Sequence, residues 1–201
     1  MMMEGDTRGR ILASACDLIY SRSYASVGVA EICEKAQVKK GSFYHFFPSK
    51  QELGLAVIET LLAEFENRVL IPAFARDQPP LARLGRFIET IYAVQREWAG
   101  AGGRLLGCPF GNLTLELAAS DEPVRQKLES VFAAIQGRFE QVLREAQGRR
   151  QVGALDIPAT AQAMLAYLEG VLLMAKAAND PELILRLGPA LARIRILPVP
   201  A

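Results

Sequence analysis

Apolar residues recur at spacings of three and four along most of the 201-residue chain, the period of helices that bury one stripe and leave the other side wet. Ile11, Ala15, Leu18 and Ile19 predict a first helix over about 7–22. Leu53, Val57, Leu61, Phe65 and Val69 predict a long one from about Ser49 that stops near Pro72, because proline cannot donate to the helical ladder. Leu81, Leu84, Ile88, Ile91 and Trp98 mark another, and Val124, Leu128, Val131, Ile135, Phe139 and Val142 the next. Two more are expected at about 157–178, from Ala161, Met164, Leu168, Val171, Leu172 and Ala175, and at about 181–195, from Leu183, Leu187, Leu191 and Ile194. Pro79-Pro80, the glycine run 100–103, Asp121-Glu122-Pro123, Gly148 to Gly153 and Asn179-Asp180-Pro181 separate these segments. No window alternates with period two and no long repeat is visible, so the predicted fold class is all-α, with about nine helices.

Between Val29 and Phe47 the helices must be short. Val29 to Ala36, a turn at Gln37-Val38, and Lys40 to Phe46 make a helix-turn-helix. Gly28 is a tolerated N-cap for the first of these, and Glu31 falls where a carboxylate complements the helix dipole. After the second, Ser49-Lys50-Gln51-Glu52 matches the S-x-x-E capping box and starts a new helix at Lys50. The expected division is a three-helix DNA-binding domain over 1–52 and a second helical domain over 53–201.

Charge sharpens this picture. The net charge is only +1, yet Lys35, Lys39, Lys40 and Lys50 follow one another with no acidic residue between them. The stretch KKGSFYHFFPSK adds four aromatic rings and the single histidine. On a helix from Lys40 to Phe46, Phe43 with Phe46 or Phe47 can face inward, which leaves Lys40, Ser42, Tyr44 and His45 outward. Gly41 lets the helix start approach a surface closely. Lys39, Lys40 and Lys50 suit phosphates, Tyr44 can donate its phenol hydrogen to a phosphate, and Ser42 with His45 can touch base edges in a major groove wide enough for one helix. The plainer reading is a solvated helix face over a buried aromatic core.

The run resembles the DNA-binding domain of the tetracycline-repressor (TetR) family of bacterial transcription regulators, with its A-G-V-S-K-G-T-L-Y-x-H-F-x-S-K-x-x-L pattern. Ala36, Val38, Lys40, Gly41, Ser42, Phe43, Tyr44, Phe46 or Phe47, Ser49, Lys50 and Leu53 carry the match. The resemblance implies a homodimer on a palindromic operator, released when a small-molecule inducer enters the C-terminal domain, which serves for ligand binding and dimerisation. Gln37 departs from the pattern, since the family usually has glycine there. A positive φ at that position costs a non-glycine residue roughly 1 kcal/mol.

In the C-terminal body, Met164, Tyr167, Leu168, Val171 and Leu172, with Leu183, Leu187 and Leu191, are the expected dimer contact, because the last two helices have broad apolar faces. Phe87, Tyr92, Trp98, Cys108, Phe110, Phe132, Phe139 and Met174 are candidate pocket residues, with core packing the alternative for each. Cys108 begins a helix if Pro109 is its first residue, and a helix N-terminus favours thiolate. Cys108 and Lys176 are similar to the cysteine and lysine of the N-ethylmaleimide-responsive repressors of the family, which sense electrophiles. The bland alternative is a structural cysteine and a lysine reaching for solvent.

Other classes find little support. The lone His45 lies in the basic stretch with no aspartate beside it, so a Ser-His-Asp site has no basis. Neither a phosphate-binding glycine loop nor H-E-x-x-H nor Cys-x-x-Cys appears, which leaves no expected cofactor or metal. Cys16, Cys33 and Cys108 are odd in number and far apart, and read as reduced thiols. The apolar stretch 159–178 is interrupted by Glu169 and Lys176, and the start MMMEGDTRGR has no apolar signal core. The expected setting is the cytoplasm, with double-stranded DNA as partner and no membrane. A helical adaptor without sequence-specific DNA binding is the alternative function.

Overall fold

The computed structural model describes residues 4–99 and 103–198. Among them the elements are all helical: α1 Glu4–Ser21, α2 Val29–Ala36, α3 Lys40–Phe46, α4 Lys50–Phe65, α5 Ile71–Ala73, α6 Pro80–Ala99, α7 Pro109–Leu117, α8 Glu122–Gly148, α9 Ile157–Ala178 and α10 Glu182–Leu187. Of the glycine run expected to break the chain at 100–103, only Gly103 lies within the described residues.

Two long periodic segments are less regular than their spacing suggests. The helix expected from Ser49 to Pro72 passes through a π-helical turn at Glu66–Leu70 before the short α5. Pro72 has no N–H for the carbonyl four residues back and its ring crowds that oxygen, so widening the turn ahead of it relieves the ladder. The helix expected over 181–195 divides into α10 and a 3-10 segment, Gly188–Arg193, with Pro189 at its start.

The chain forms two compact units that differ from the 1–52 and 53–201 division: one takes residues up to 63 together with 109–129, the other 64–108 with 130 onward. In the first, α1 packs on α2 and both meet α3. Its interior holds Ile11, Ala15, Ile19, Val27, Ile32, Phe43, Phe47, Leu53 and Val57, with Phe110, Leu113, Val124 and Leu128 from the later segment.

In the second unit α6, α9, α10 and the 3-10 segment pack together. Phe74, Phe87 and Phe139 form an aromatic cluster with centroids 5.2 to 6.2 Å apart, the close Phe87–Phe139 pair lying edge to face. Gly188 is needed where the 3-10 segment crosses α6, because a Cβ there would lie 2.4 Å from Cγ2 of Ile88. Arg83, 2% exposed, donates to Glu145 at 2.7 Å and to the Gln78 carbonyl at 3.0 Å. Burial pushes the Glu145 carboxyl up, but the Arg83 hydrogen bond and charge, helped by Gln141 and Arg76, outweigh it and hold the carboxyl below its ordinary range. Helix α9 is long and apolar enough to cross a membrane by length and composition alone. Thr160, Ala161, Met164, Leu165, Leu168, Val171, Leu172 and Ala175 of that helix are buried in the unit, which gives it the role of a core helix.

Candidate nucleic-acid interface

The helix-turn-helix is built by local chemistry. Gly28 caps α2 in an extended conformation, and Glu31 sits in its first turn, where it pairs with Arg22. Gln37 closes α2 in the left-handed region at φ 55° and ψ 47°. The Gln37 N–H bonds to the Glu34 carbonyl at 3.0 Å and the Val38 N–H to the Cys33 carbonyl at 2.9 Å, the paired bonds of a Schellman end. Lys39 then caps α3, and the Ser49 hydroxyl accepts the Glu52 N–H at 3.0 Å to open α4.

These caps fix which side of α3 is free. Phe43 is fully buried and Phe47 nearly so, with ring centroids 5.9 Å apart, so Phe47 and not Phe46 is the second inward anchor. Phe46 is half-buried, its edge against the His45 ring at 4.9 Å. Lys39, Lys40, Gly41, Tyr44 and His45 are exposed, Tyr44 by 53%, and Ser42 is partly so. Arg8, which the spacing did not single out, lies over the Phe47 ring at 5.3 Å.

Lys50 stands apart from the other six candidates. Its ammonium turns inward, donating to the Tyr24 carbonyl at 2.5 Å and lying 4.2 Å from the Tyr24 ring centroid. Burial lowers its pKa, with Glu116 acting in the opposite sense. The expected phosphate ligand is thus held by the turn between α1 and α2. Tyr24 answers in kind: its phenol is pushed up by burial and by the negative charges of Asp121 and Glu116.

In the second unit the expected residues scatter. Phe87 and Phe139 are fully buried in the aromatic cluster. Phe110 is buried in the first unit, and Phe132 is half-buried. Tyr92 donates to Glu182 at 2.5 Å and accepts from Arg96, while Trp98 lies under Arg68 at 5.9 Å. Met174 is 57% exposed. Met164, Leu168, Val171, Leu172 and Leu191 are buried within the chain itself, so its own core consumes the face expected to meet a partner. Tyr167, Leu183 and Leu187 keep partial exposure, with the Tyr167 hydroxyl donating to the Leu187 carbonyl at 2.9 Å. The outward side of α9 is instead Ala166, Gly170, Leu173 and Ala177, spaced four, three and four.

Cys108 and Lys176 do come near one another. The segment from Gly103 to Cys108 runs antiparallel along one stripe of α9 and its C-cap. Asn179, left-handed at φ 49°, accepts the Leu105 N–H at 2.8 Å and donates to the Gly103 carbonyl at 2.8 Å. Lys176 packs its stem on Gly107, where a Cβ would lie 3.1 Å from Cδ, and Gln95 donates to the Gly107 carbonyl at 2.9 Å. Gly107 has φ 74°, so both conformation and space call for glycine. Glu169 receives a hydrogen bond from Cys108, and burial pushes its carboxyl up against that bond. The family resemblance pointed to Cys108 and Lys176, whereas Glu169 and Asn179 become visible only once the segment is laid along the helix.

A pinned helix with a lysine- and hydroxyl-bearing outer face, following a capped first helix across a tight turn, defines a helix-turn-helix transcription regulator. Residues 11–57 match the family model of bacterial regulatory proteins of the tetR family, and residues 80–191 match the tetracyclin repressor-like C-terminal domain. The chain belongs to the TetR family of DNA-binding transcriptional regulators. It is 36% identical over 174 residues to the transcriptional regulator AcuR of Cereibacter sphaeroides, covering 86% of this chain and 77% of AcuR. The crystal structure of a regulatory protein TetR from Rhodobacter sphaeroides superposes with a TM-score of 0.79 at 34% identity, over 94% of this chain and 98% of that one. The transcriptional repressor NemR of Escherichia coli is 39% identical over 66 residues, 33% of each chain. Its reduced-form structure shares the fold at a TM-score of 0.80 and 23% identity, over 97% of this chain and 100% of that one.

Proposed function

We propose that the chain is a cytoplasmic repressor that binds a palindromic operator as a homodimer and leaves it when a small molecule acts on the second unit. The observation that carries this reading is the division of α3: Phe43 and Phe47 hold it down while Lys39, Lys40, Gly41, Ser42, Tyr44 and His45 face outward. Lys39, Lys40 and Tyr44 contact phosphates, and Ser42 and His45 meet base edges. Two copies place their α3 helices about 34 to 36 Å apart on one face of the duplex. The stripe Ala166, Gly170, Leu173 and Ala177 of α9 supports the dimer, because small residues let a second helix approach closely and leave little polar group to desolvate.

Selection of bound fragments from genomic DNA tests the reading. A single recurrent palindrome is expected, with affinity that falls steeply with salt; Lys40→Ala lowers the slope of log K against log salt by roughly 0.9. Recovery of no sequence above random duplex refutes operator binding. A helical adaptor would show that outcome.

A second observation concerns the inducer. Cys108 bonded to Glu169, beside the Lys176 stem, supports action by a soft electrophile. As the sulfur attacks an activated alkene, the S–H proton passes to the Glu169 carboxylate, an S–C bond forms, and the alkene electrons end on the neighbouring carbon, which is then protonated. A single adduct on Cys108 with operator release, absent in Cys108→Ser, is the expected result. Release of Cys108→Ser by the same electrophile refutes it.

A further inference from the structure

The turn between α1 and α2 sets the direction in which the helix-turn-helix leaves α1, and it has little apolar material of its own. Val27 is its buried residue, and Ser23 and Ser26 bond to each other at 2.9 Å. Its fixed point is Tyr24. The carboxylate of Glu116, near the end of α7, accepts the Tyr24 N–H at 2.9 Å with one oxygen and the Ala25 N–H at 2.5 Å with the other. The Tyr24 carbonyl accepts from Lys50 at 2.5 Å. Its ring fits against α4 because residue 54 is glycine, where a Cβ would stand 3.0 Å from Cε2. Both sides of one residue are therefore gripped by charged groups from two other helices.

The same segment reaches α4 twice more. Asp121 accepts both contacts of the Gln51 amide, at 2.9 and 3.0 Å, while also capping α8 through the Val124 N–H at 3.1 Å. Lys127 pairs with Glu59 at 2.7 Å. Of the ties made by residues 109–129, the one from Glu116 touches the backbone of the turn, where it supplies an acceptor to two N–H groups. Charge-assisted bonds to backbone N–H are the strong kind, and a carboxylate holding two of them fixes direction as well as distance.

We propose that Glu116 is a positioning residue for operator binding: from outside the helix-turn-helix it sets the pose of the α1–α2 turn, and through it that of α3. It touches no DNA itself. The proposal rests on the operator-binding reading above.

The test compares wild type, Glu116→Ala and Glu116→Gln, using a fluorescein-labelled duplex selected by the wild-type protein from a random library. Hydrogen exchange of the DNA-free proteins is followed by mass spectrometry over 22–28 and 39–47. Glu116→Ala is expected to weaken operator binding about tenfold. Its salt slope stays that of wild type, because no phosphate contact is lost. Exchange rises in both segments. Glu116→Gln keeps one carbonyl acceptor and falls between the two; it also serves if the alanine variant does not fold. Unchanged exchange over 39–47 overturns the proposal, as does wild-type affinity in both variants or a salt slope reduced by about one. If wild type selects no sequence, the operator reading fails, and the exchange measurement still decides the role of Glu116.

Discussion

Replacing Gln37 with glycine isolates one conformational cost. Gln37 adopts φ 55° and ψ 47° as the left-handed closure of α2, with its side chain in solvent. The two Schellman bonds are made by backbone groups and do not depend on the side chain. A residue with a Cβ in this region is about 1–2 kcal/mol less favourable than in the right-handed one, whereas glycine carries no such penalty. Against this, glycine gives the unfolded chain extra freedom worth about 0.5–1 kcal/mol. The balance favours Gln37→Gly by up to about 1.5 kcal/mol, at about 2–4 °C of Tm per kcal/mol for a chain of this size. Thermal unfolding by circular dichroism reads the shift, with Gln37→Ala as control. Alanine keeps the Cβ and should lie within about 0.5 kcal/mol of wild type. A glycine variant melting at or below the alanine variant would refute the left-handed geometry as the source of cost.

Two further predictions concern the second unit. Glu145→Gln leaves the buried Arg83 guanidinium without its carboxylate and should destabilise by about 3 kcal/mol, at the low end for broken buried pairs because Glu145 is partly exposed, measured by urea unfolding. Because the Glu145 carboxyl is held below its ordinary value, its contribution is full above the unfolded pKa and fades as acid titrates the folded group; wild type should therefore lose more stability on acidification than the glutamine variant. Gly188→Ala should cost about 1–3 kcal/mol by forcing its Cβ into Ile88, and combining it with Ile88→Ala should cost less than the two changes added, as a double-mutant cycle would show.

The DNA-binding region was legible in detail because its signals are local. Gly28, the left-handed position at Gln37, the Ser49 cap and the inward Phe43 each follow from a residue and its neighbours within four positions. The bond of Lys50 was not legible for the complementary reason: its side chain answers to Tyr24, twenty-six residues earlier, and no period marks that meeting. Glu116 was missed altogether, since its partners lie 91 and 92 residues away and a single glutamate on a short helix looks like a solvated face. In the second unit periodicity identified the apolar side of α9 correctly but not what covers it. Met164, Leu168 and Val171 look alike to a spacing rule whether a second chain or α10 and the 3-10 segment pack against that side.

That ambiguity resolves once α9 is read as three sides and not two. One side carries Ala161, Met164, Leu168, Val171 and Ala175 into the core. A second carries Glu169, Leu172, Lys176 and, at the cap, Asn179, and these four meet the segment Gly103 to Cys108 in reverse order: Asn179 at Gly103 and Leu105, Lys176 and the Leu172 carbonyl at Gly107, Glu169 at Cys108. The third, Ala166, Gly170, Leu173 and Ala177, is apolar and exposed, with Leu173 the one large side chain among small ones. A helix with only a core side and a solvent side would place charged residues on the third stripe, as the exposed flanks of α8 do with Glu122, Arg125 and Glu129. The homodimer proposed above would cover this stripe, with a second copy of the same helix set against it. In that proposed arrangement the stripe offered to a second copy and the stripe that meets the segment holding Cys108 belong to one helix, so alkylation of the thiol is expected to shift the monomer–dimer equilibrium measured by sedimentation, and an unshifted equilibrium would refute the link.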